Sequence, residues 1–563
     1  MKKFFEKISV TAIVLSVIFA LAVAFVGWYF FLPAFNLRSM GFWVYLTAIL
    51  VAAALPFINL NIDWNAVAIS MKLKSPPKGS PSAKKRKSAD DRRYANRVSL
   101  IAIVVAITPI TVALLGLLIS SPLFFSRSYA EVVSITEAKF EEDMPEASEI
   151  TNIALMDTPS AQILGDRTLG SLSDVVSQYR VSETYTQINY HGAPKKVANL
   201  EYDDFFKWVA NNDRGIPGMV MVDPVKSVAE YIKLDEPIKY APSAYFGQDL
   251  MRKLRFDYPT KIFSSVMFEV DEEGRPFYIV SCAEPQVFWF GAKDVTEVII
   301  FNPVNGESSL HPVSEAPSWI DVVFDGDLAC KKYDWRGLYS GGFLNSIIGN
   351  VDCKQTTDDY GYIALGDDVW YFTGVTSVTA DKSNIGFILS NARTGEYKFY
   401  PVIGAEEHSA MAAAEGEVQE KGYVASFPSL VNVSGHATYI MVLKDDGGLV
   451  KLYALVKVSN YSVVATGATQ AEAMSAYKKL LQQSGDNIST TTKEVSFTVE
   501  NVRIVTVADV ATVYITAEDG QVYKGYLEAD ESLILIRVGD KLRVKYVEGD
   551  SKIHVISEWS EEE

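Results

Sequence analysis

Three long apolar runs open the chain, Ile8 to Leu32, Gly41 to Leu60 and Val98 to Phe125, and none holds Asp, Glu, Lys, Arg or His. About 20 such residues in a helix cross a hydrocarbon core of about 30 Å, so each run predicts a membrane span. The first run exceeds the apolar core of a cleavable leader. Bulky Trp28, Tyr29, Phe30 and Phe31 stand where a cleavage site needs small residues, which predicts an uncleaved anchor. Trp28 and Tyr29 suit an aromatic belt at the interface. Pro56 and Pro109 are expected to kink or end their helices, with neighbouring helices satisfying the freed carbonyls.

After residue 125 the period shortens. Residues 126–260 read as a mixed α+β segment. A hairpin is expected over Val181 to Tyr202, turning at His191-Gly192-Ala193-Pro194. Short helices are expected over Asp203 to Asn212 and Gly247 to Phe256. Residues 261–482 read as repeated β units. Strand, acidic-Gly turn and strand at Met267–Val280 return at Tyr362–Phe372. The turns Asn302-Pro303-Val304-Asn305-Gly306-Glu307 and Asn391-Ala392-Arg393-Thr394-Gly395-Glu396 align at an offset of 89. A partial third unit spans Tyr439 to Thr466. Thr469 and Glu472 then form a capping box before a helix. In the tail, 494–559, strands are expected at 495–507, 511–516, 521–527, 533–538 and 542–547. They predict a small closed barrel, similar to an OB-fold or an SH3-like barrel.

The fold class that follows is a three-span α-helical membrane head, residues 1–125, carrying an α+β, mainly antiparallel β body. The order of strands and turns in 261–482, with Asn305-Gly306-Glu307 and Thr394-Gly395-Glu396 at the matching positions, resembles the PepSY module. That resemblance implies a place outside the bacterial cytoplasm and a regulatory or inhibitory role, not catalysis. The whole chain is similar to membrane-anchored bacterial envelope proteins.

Charge assigns the sides. Before residue 126 there are 14 Lys/Arg against 4 Asp/Glu; after it there are 38 against 65. Most of the basic excess falls in the loop 61–97, between the second and third runs. Positive-inside logic puts that loop and the N-terminus in the cytoplasm and the acidic body outside. Lys84, Lys85, Arg86 and Lys87 are then expected to touch anionic lipid. An acidic body lacks the basic footprint that nucleic acid requires. The expected partners are the lipid bilayer and a protein in or outside the membrane. Because the runs carry no ionisable group, they read as anchors rather than an ion path.

Catalytic motifs are missing: there is no His-Glu-x-x-His, no Gly-x-Ser-x-Gly and no P-loop. The five His are scattered, and no metal or cofactor site is expected. Paired acids such as Asp203-Asp204 and Asp358-Asp359, and the cluster Glu406-Glu407-His408, read as solvated surface. Phe288-Trp289-Phe290 and Trp370-Tyr371-Phe372 read as aromatic strands. Outside the cell, Cys330 and Cys353 are permitted to pair, leaving Cys282 over; three free buried thiols are the alternative. The expected function is that of a non-catalytic structural or interaction protein of the envelope. The alternatives are a regulatory subunit of a membrane complex, such as an exporter or an envelope protease, and a cell-wall hydrolase without a recognisable motif.

Overall fold

A computed structural model describes residues 10–61, 89–144, 146–147, 155–378, 383–483, 492–507, 510–527, 530–547 and 553–561. The head is three packed helices: α1 (Val10–Phe31), α2 (Met40–Asn61) and α3 (Ala89–Ile119). Residues 11–31 and 97–119 are long and apolar enough to cross a membrane. Of the three expected spans, the middle one has the shorter apolar stretch, 40–56. α2 packs against both of the others, and its Tyr45 hydroxyl donates to Ala24 O at 2.6 Å. Pro56 and Pro109 lie inside α2 and α3, which continue past them. Leu21, Phe25 and Leu100 point away from the packed core and are more than 60% exposed. In water such a surface would drive association. A helix α4 (Pro122–Ala130) leads from α3 into the body.

The body repeats one plan four times: a helix, then four strands in an antiparallel meander. α5 (Thr158–Gly170) precedes strands 186–190, 193–202, 216–223 and 228–238. After α6 (Phe205–Asn211), which lies within that unit, α7 (Leu250–Asp257) precedes 263–270, 276–287, 291–301 and 308–312. α8 (Gly326–Tyr339) precedes 361–365, 368–377, 383–391 and 397–400. α9 (Glu407–Glu417) precedes 429–433, 436–444, 450–457 and 460–467, and α10 (Gln470–Gln483) follows. The repeat therefore begins one unit earlier than the sequence pattern indicates.

Local chemistry sets the turns. His191 and Gly192 both take positive φ, 54° and 73°, as a two-residue hairpin requires. The two turns spaced by 89 residues share one hydrogen-bond scheme. Asn302 N donates to Glu307 O and Asn391 N to Glu396 O, both at 2.9 Å. The Asn side chains accept from Val304 N and Arg393 N, also at 2.9 Å. Gly306 and Gly395 sit at φ 78° and 70°, where a Cβ is strained. The capping box forms as expected: Glu472 N donates to Thr469 Oγ1 at 3.2 Å.

Strand alternation sends side chains to two faces, and the sheets stack in chain order. Tyr278, Val280 and Phe301 of the second sheet meet Val197, Leu200 and Val220 of the first. Ile279 and Val298, on the other face, meet Ile320 and Val323. Tyr371 and Tyr397 of the third sheet pack on Ala329 and Tyr333 of α8. Trp370, Phe372 and Phe387 meet Tyr439 and Met441 of the fourth sheet. Ile440 and Leu455 meet Tyr477 and Leu481 of α10. Full burial stabilises each such side chain by about 1.5–3 kcal/mol. The first strands of units one, three and four converge, so Gln187, Tyr362 and Ser429 line one cavity.

The tail is a closed five-stranded barrel with its own core, in the order 492–507, 510–517, 522–526, 553–561, 541–547. Strands 522–526 and 553–561 run parallel, the other pairs antiparallel. Residues 531–535, partly expected as strand, form a 3₁₀ turn instead. Asp530 caps Ser532 N at 2.9 Å, and Leu533 and Ile536 plug the barrel core. The missing strand is 553–561. Two further expectations fail. Glu407 is fully buried, because its carboxylate accepts Gly374 N at 2.6 Å and Thr357 Oγ1 at 3.1 Å. Phe288-Trp289-Phe290 forms the tip of the hairpin between strands 276–287 and 291–301, not a strand.

Candidate functional site: the seat on the helix ends and a buried lysine cavity

The last carbonyls of a helix lack partners within it. Here the body supplies them at one end of the bundle. Arg252 Nε of α7 donates to Tyr29 O at 3.2 Å, and its guanidinium lies 4.2 Å from the Tyr29 ring centroid. Arg255, nearly buried, donates to Leu32 O at 2.9 Å. In the loop that joins α1 to α2, Phe35 N donates to Pro259 O at 2.7 Å. From the same loop, Arg38 donates to Pro285 O at 2.6 Å. At the end of α3, Ser120 Oγ accepts from Trp289 N and Phe290 N at 3.2 and 3.1 Å. Gly116 allows this approach, since a Cβ there would lie 2.6 Å from the Trp289 ring. Trp28 stacks on Phe256 at 4.9 Å. The aromatic tip that reads as strand from sequence is thus a peg between helix ends.

A second feature lies within the body. A cavity of about 260 Å³ is lined by Met156, Asp157, Thr158, Gln187, Lys196, Tyr360, Tyr362 and Phe427, among others. Lys196 is 2% exposed. Its Nζ has a 3.3 Å bond to Thr158 Oγ1 and lies 4.9 Å from the Tyr362 ring centroid. Asp157 is engaged elsewhere, by Lys444 and by Ser160 N. Burial therefore brings the Lys196 ammonium down to about 8, and Asp157 restores only part of this. Gln187 Oε1 is buried with no hydrogen-bond partner among the described residues. One amine and one free amide oxygen beside aromatic walls can hold a small polar group. Sequence reading missed this set because its members are far apart in the chain.

Glu269 and Asp321 form a buried acid pair. Glu269 accepts Asp321 N and Val322 N at 2.8 and 3.0 Å, and Asp321 accepts Asn189 N at 2.8 Å. Burial pushes Asp321 up to about 7, and burial with the neighbouring Asp321 holds Glu269 well above the carboxylate range. Both Glu269 oxygens and Asp321 Oδ2 are occupied by backbone amides, so the pair joins units.

The cysteines are three separate thiols. Cys353 Sγ lies 3.6 Å from Leu338 O, eight residues beyond Cys330 on α8. Eight helical residues span about 12 Å, too far for the Cys330–Cys353 bridge allowed by the sequence. Burial pushes the Cys330 and Cys282 thiols up to about 12. Cys330 also lines a cleft with Asp327, Asp334, Asp358 and Asp359. Among the described residues no His/Cys/Asp/Glu group has the arrangement to hold a metal. Lys84, Lys85, Arg86 and Lys87 lie outside the described residues. The chain matches no protein-family model and no curated protein.

Two pH predictions follow from these burials. Between about pH 8 and the ordinary lysine value of 10.5, the unfolded chain binds more protons at Lys196 than the folded one. Stability therefore rises with pH over that window, by on the order of 3 kcal/mol for this group. Lys196→Met removes this rise in denaturation midpoints; equal slopes in both proteins would refute it. The acid pair acts oppositely. Its raised values favour the folded state below about pH 4, and that contribution is lost as pH rises through about 7. Asp321→Asn, whose amide oxygen can still accept Asn189 N, is expected to flatten the fall between about pH 4 and 7 in denaturation midpoints; an unchanged slope would refute it.

Proposed function

We propose that this chain is a membrane-anchored, non-catalytic interaction protein of the bacterial cell envelope. Its three apolar helices cross the membrane, its basic loop faces the cytoplasm, and its β-rich body stands outside. The seat is the observation that carries this reading. A body tied by backbone and guanidinium hydrogen bonds to the ends of α1 and α3, and to the loop before α2, is held at a set height and orientation. That suits presentation of a surface to a protein partner. The helix ahead of each four-stranded unit is consistent with PepSY-like modules and with a regulatory subunit of a membrane complex. The order of the barrel strands, with 522–526 and 553–561 parallel, favours an OB-like over an SH3-like form. Its acidic surroundings suit a protein contact rather than nucleic acid.

The three native thiols, two buried and one half-buried, all with raised pKa, are poor reporters of sidedness, so introduced cysteines are needed. Ser462→Cys, exposed on the outermost strand of unit four, is expected to react with a membrane-impermeant maleimide in intact cells. Ala83→Cys, in the basic loop, is expected to react only after lysis. The reverse pattern would overturn the orientation and the proposed location of the body.

A further inference from the structure

We propose that two apolar patches of the body rest in the bilayer interface beside the helix ends. This rests on the membrane reading above and adds a second mode of lipid contact to it. The first patch is on α6 and the loop after strand 228–238. Phe206 is 77% exposed and Phe246 54%. Phe205, Trp208 and Tyr245 pack between them, with ring centroids 5.0–5.9 Å apart. This patch is continuous with the end of α1. Arg252, which holds Tyr29 O, also donates to Phe246 O at 2.6 Å. Phe256, 45% exposed, stacks on Trp28. The patch therefore sits at the level of the last turn of a span, where aromatic side chains prefer to lie.

The second patch follows α8. Leu344, Ile347, Ile348 and Val351 are 59–80% exposed around a π-helical turn, Asn345–Gly349. The C-terminal end of α8 is fixed at the end of α3. Trp335 and Tyr339 meet the Tyr129 ring at 5.4 and 6.1 Å, and the Tyr129 hydroxyl donates to Ser120 O at 2.8 Å. Two exposed apolar surfaces on distant parts of the chain thus emerge next to two helix ends. A soluble face seldom carries contiguous patches of this kind. The occupant that fits both patches at once is the lipid surface itself.

The test uses the full chain in nanodiscs of phosphatidylcholine and phosphatidylglycerol. Spin labels are placed singly at Phe206→Cys, Ile348→Cys, Leu114→Cys and Ser462→Cys. All four positions are exposed, so folding is retained. Leu114 faces outward from α3 and serves as the lipid reference; Ser462 is the aqueous reference. Relaxation by oxygen against a water-soluble nickel chelate reports depth. Labels at 206 and 348 are expected to favour oxygen at least three-fold more than the label at 462. Aqueous behaviour at 206 and 348 with lipid behaviour at 114 would overturn the two patches and leave the anchor standing. Aqueous behaviour at 114 would overturn the anchor itself.

Discussion

The structure depends on how the ends of the apolar helices are finished. A helix crossing a hydrocarbon core satisfies its own backbone until its last turn, where free carbonyls meet the interface. Here those carbonyls are taken by the body. Arg255 reaches Leu32 O and Arg252 reaches Tyr29 O, while at the end of α3 the hairpin tip delivers two amides to the Ser120 hydroxyl. Charge-assisted hydrogen bonds are about twice as strong as neutral ones, and Arg255 makes three to backbone oxygens from a nearly buried position. The seat draws on unit two and on the C-terminal end of α8. Unit two in turn shares one core with unit one.

From that seat the repeat plan builds outward. Sheets one and two share a face, as do sheets three and four; residues 320–324 cover the other face of the second sheet and α8 covers the other face of the third. The first strands meet at the cavity that holds Lys196. A buried amine whose closest carboxylate is engaged by another lysine is costly to keep charged. The cavity is the place where the stack departs from simple packing.

Much of this was legible in the sequence, and the rest was hidden for physical reasons. Charge-free runs announce helices because nothing else tolerates them at such length. Gly306 and Gly395 announce turns because a positive φ needs them. The first unit escaped notice because α6 interrupts its strands and its turns do not repeat those of the others. Leu533 to Val538 reads as a strand by composition, yet Asp530 caps residues 531–535 into a turn. Glu407 looked solvated because its partners, Gly374 and Thr357, are far away in sequence. The Lys196 cavity gathers residues from three units, and no local pattern carries that convergence. A Cys330–Cys353 bridge was compatible with the loop length, but Cys353, beyond α8, lies against Leu338 at its far end, about two turns from Cys330.

The seat is the claim on which the account stands. Its most direct test is a cross-link between the end of α3 and the hairpin tip in native membranes. With Ser120→Cys and Phe290→Cys together, mild oxidation is expected to join them, read as the bridged proteolytic peptide by mass spectrometry. Each single variant should give none. Absence of the bridge in the double variant, with both thiols free to react after denaturation, would contradict a body seated on its helix ends.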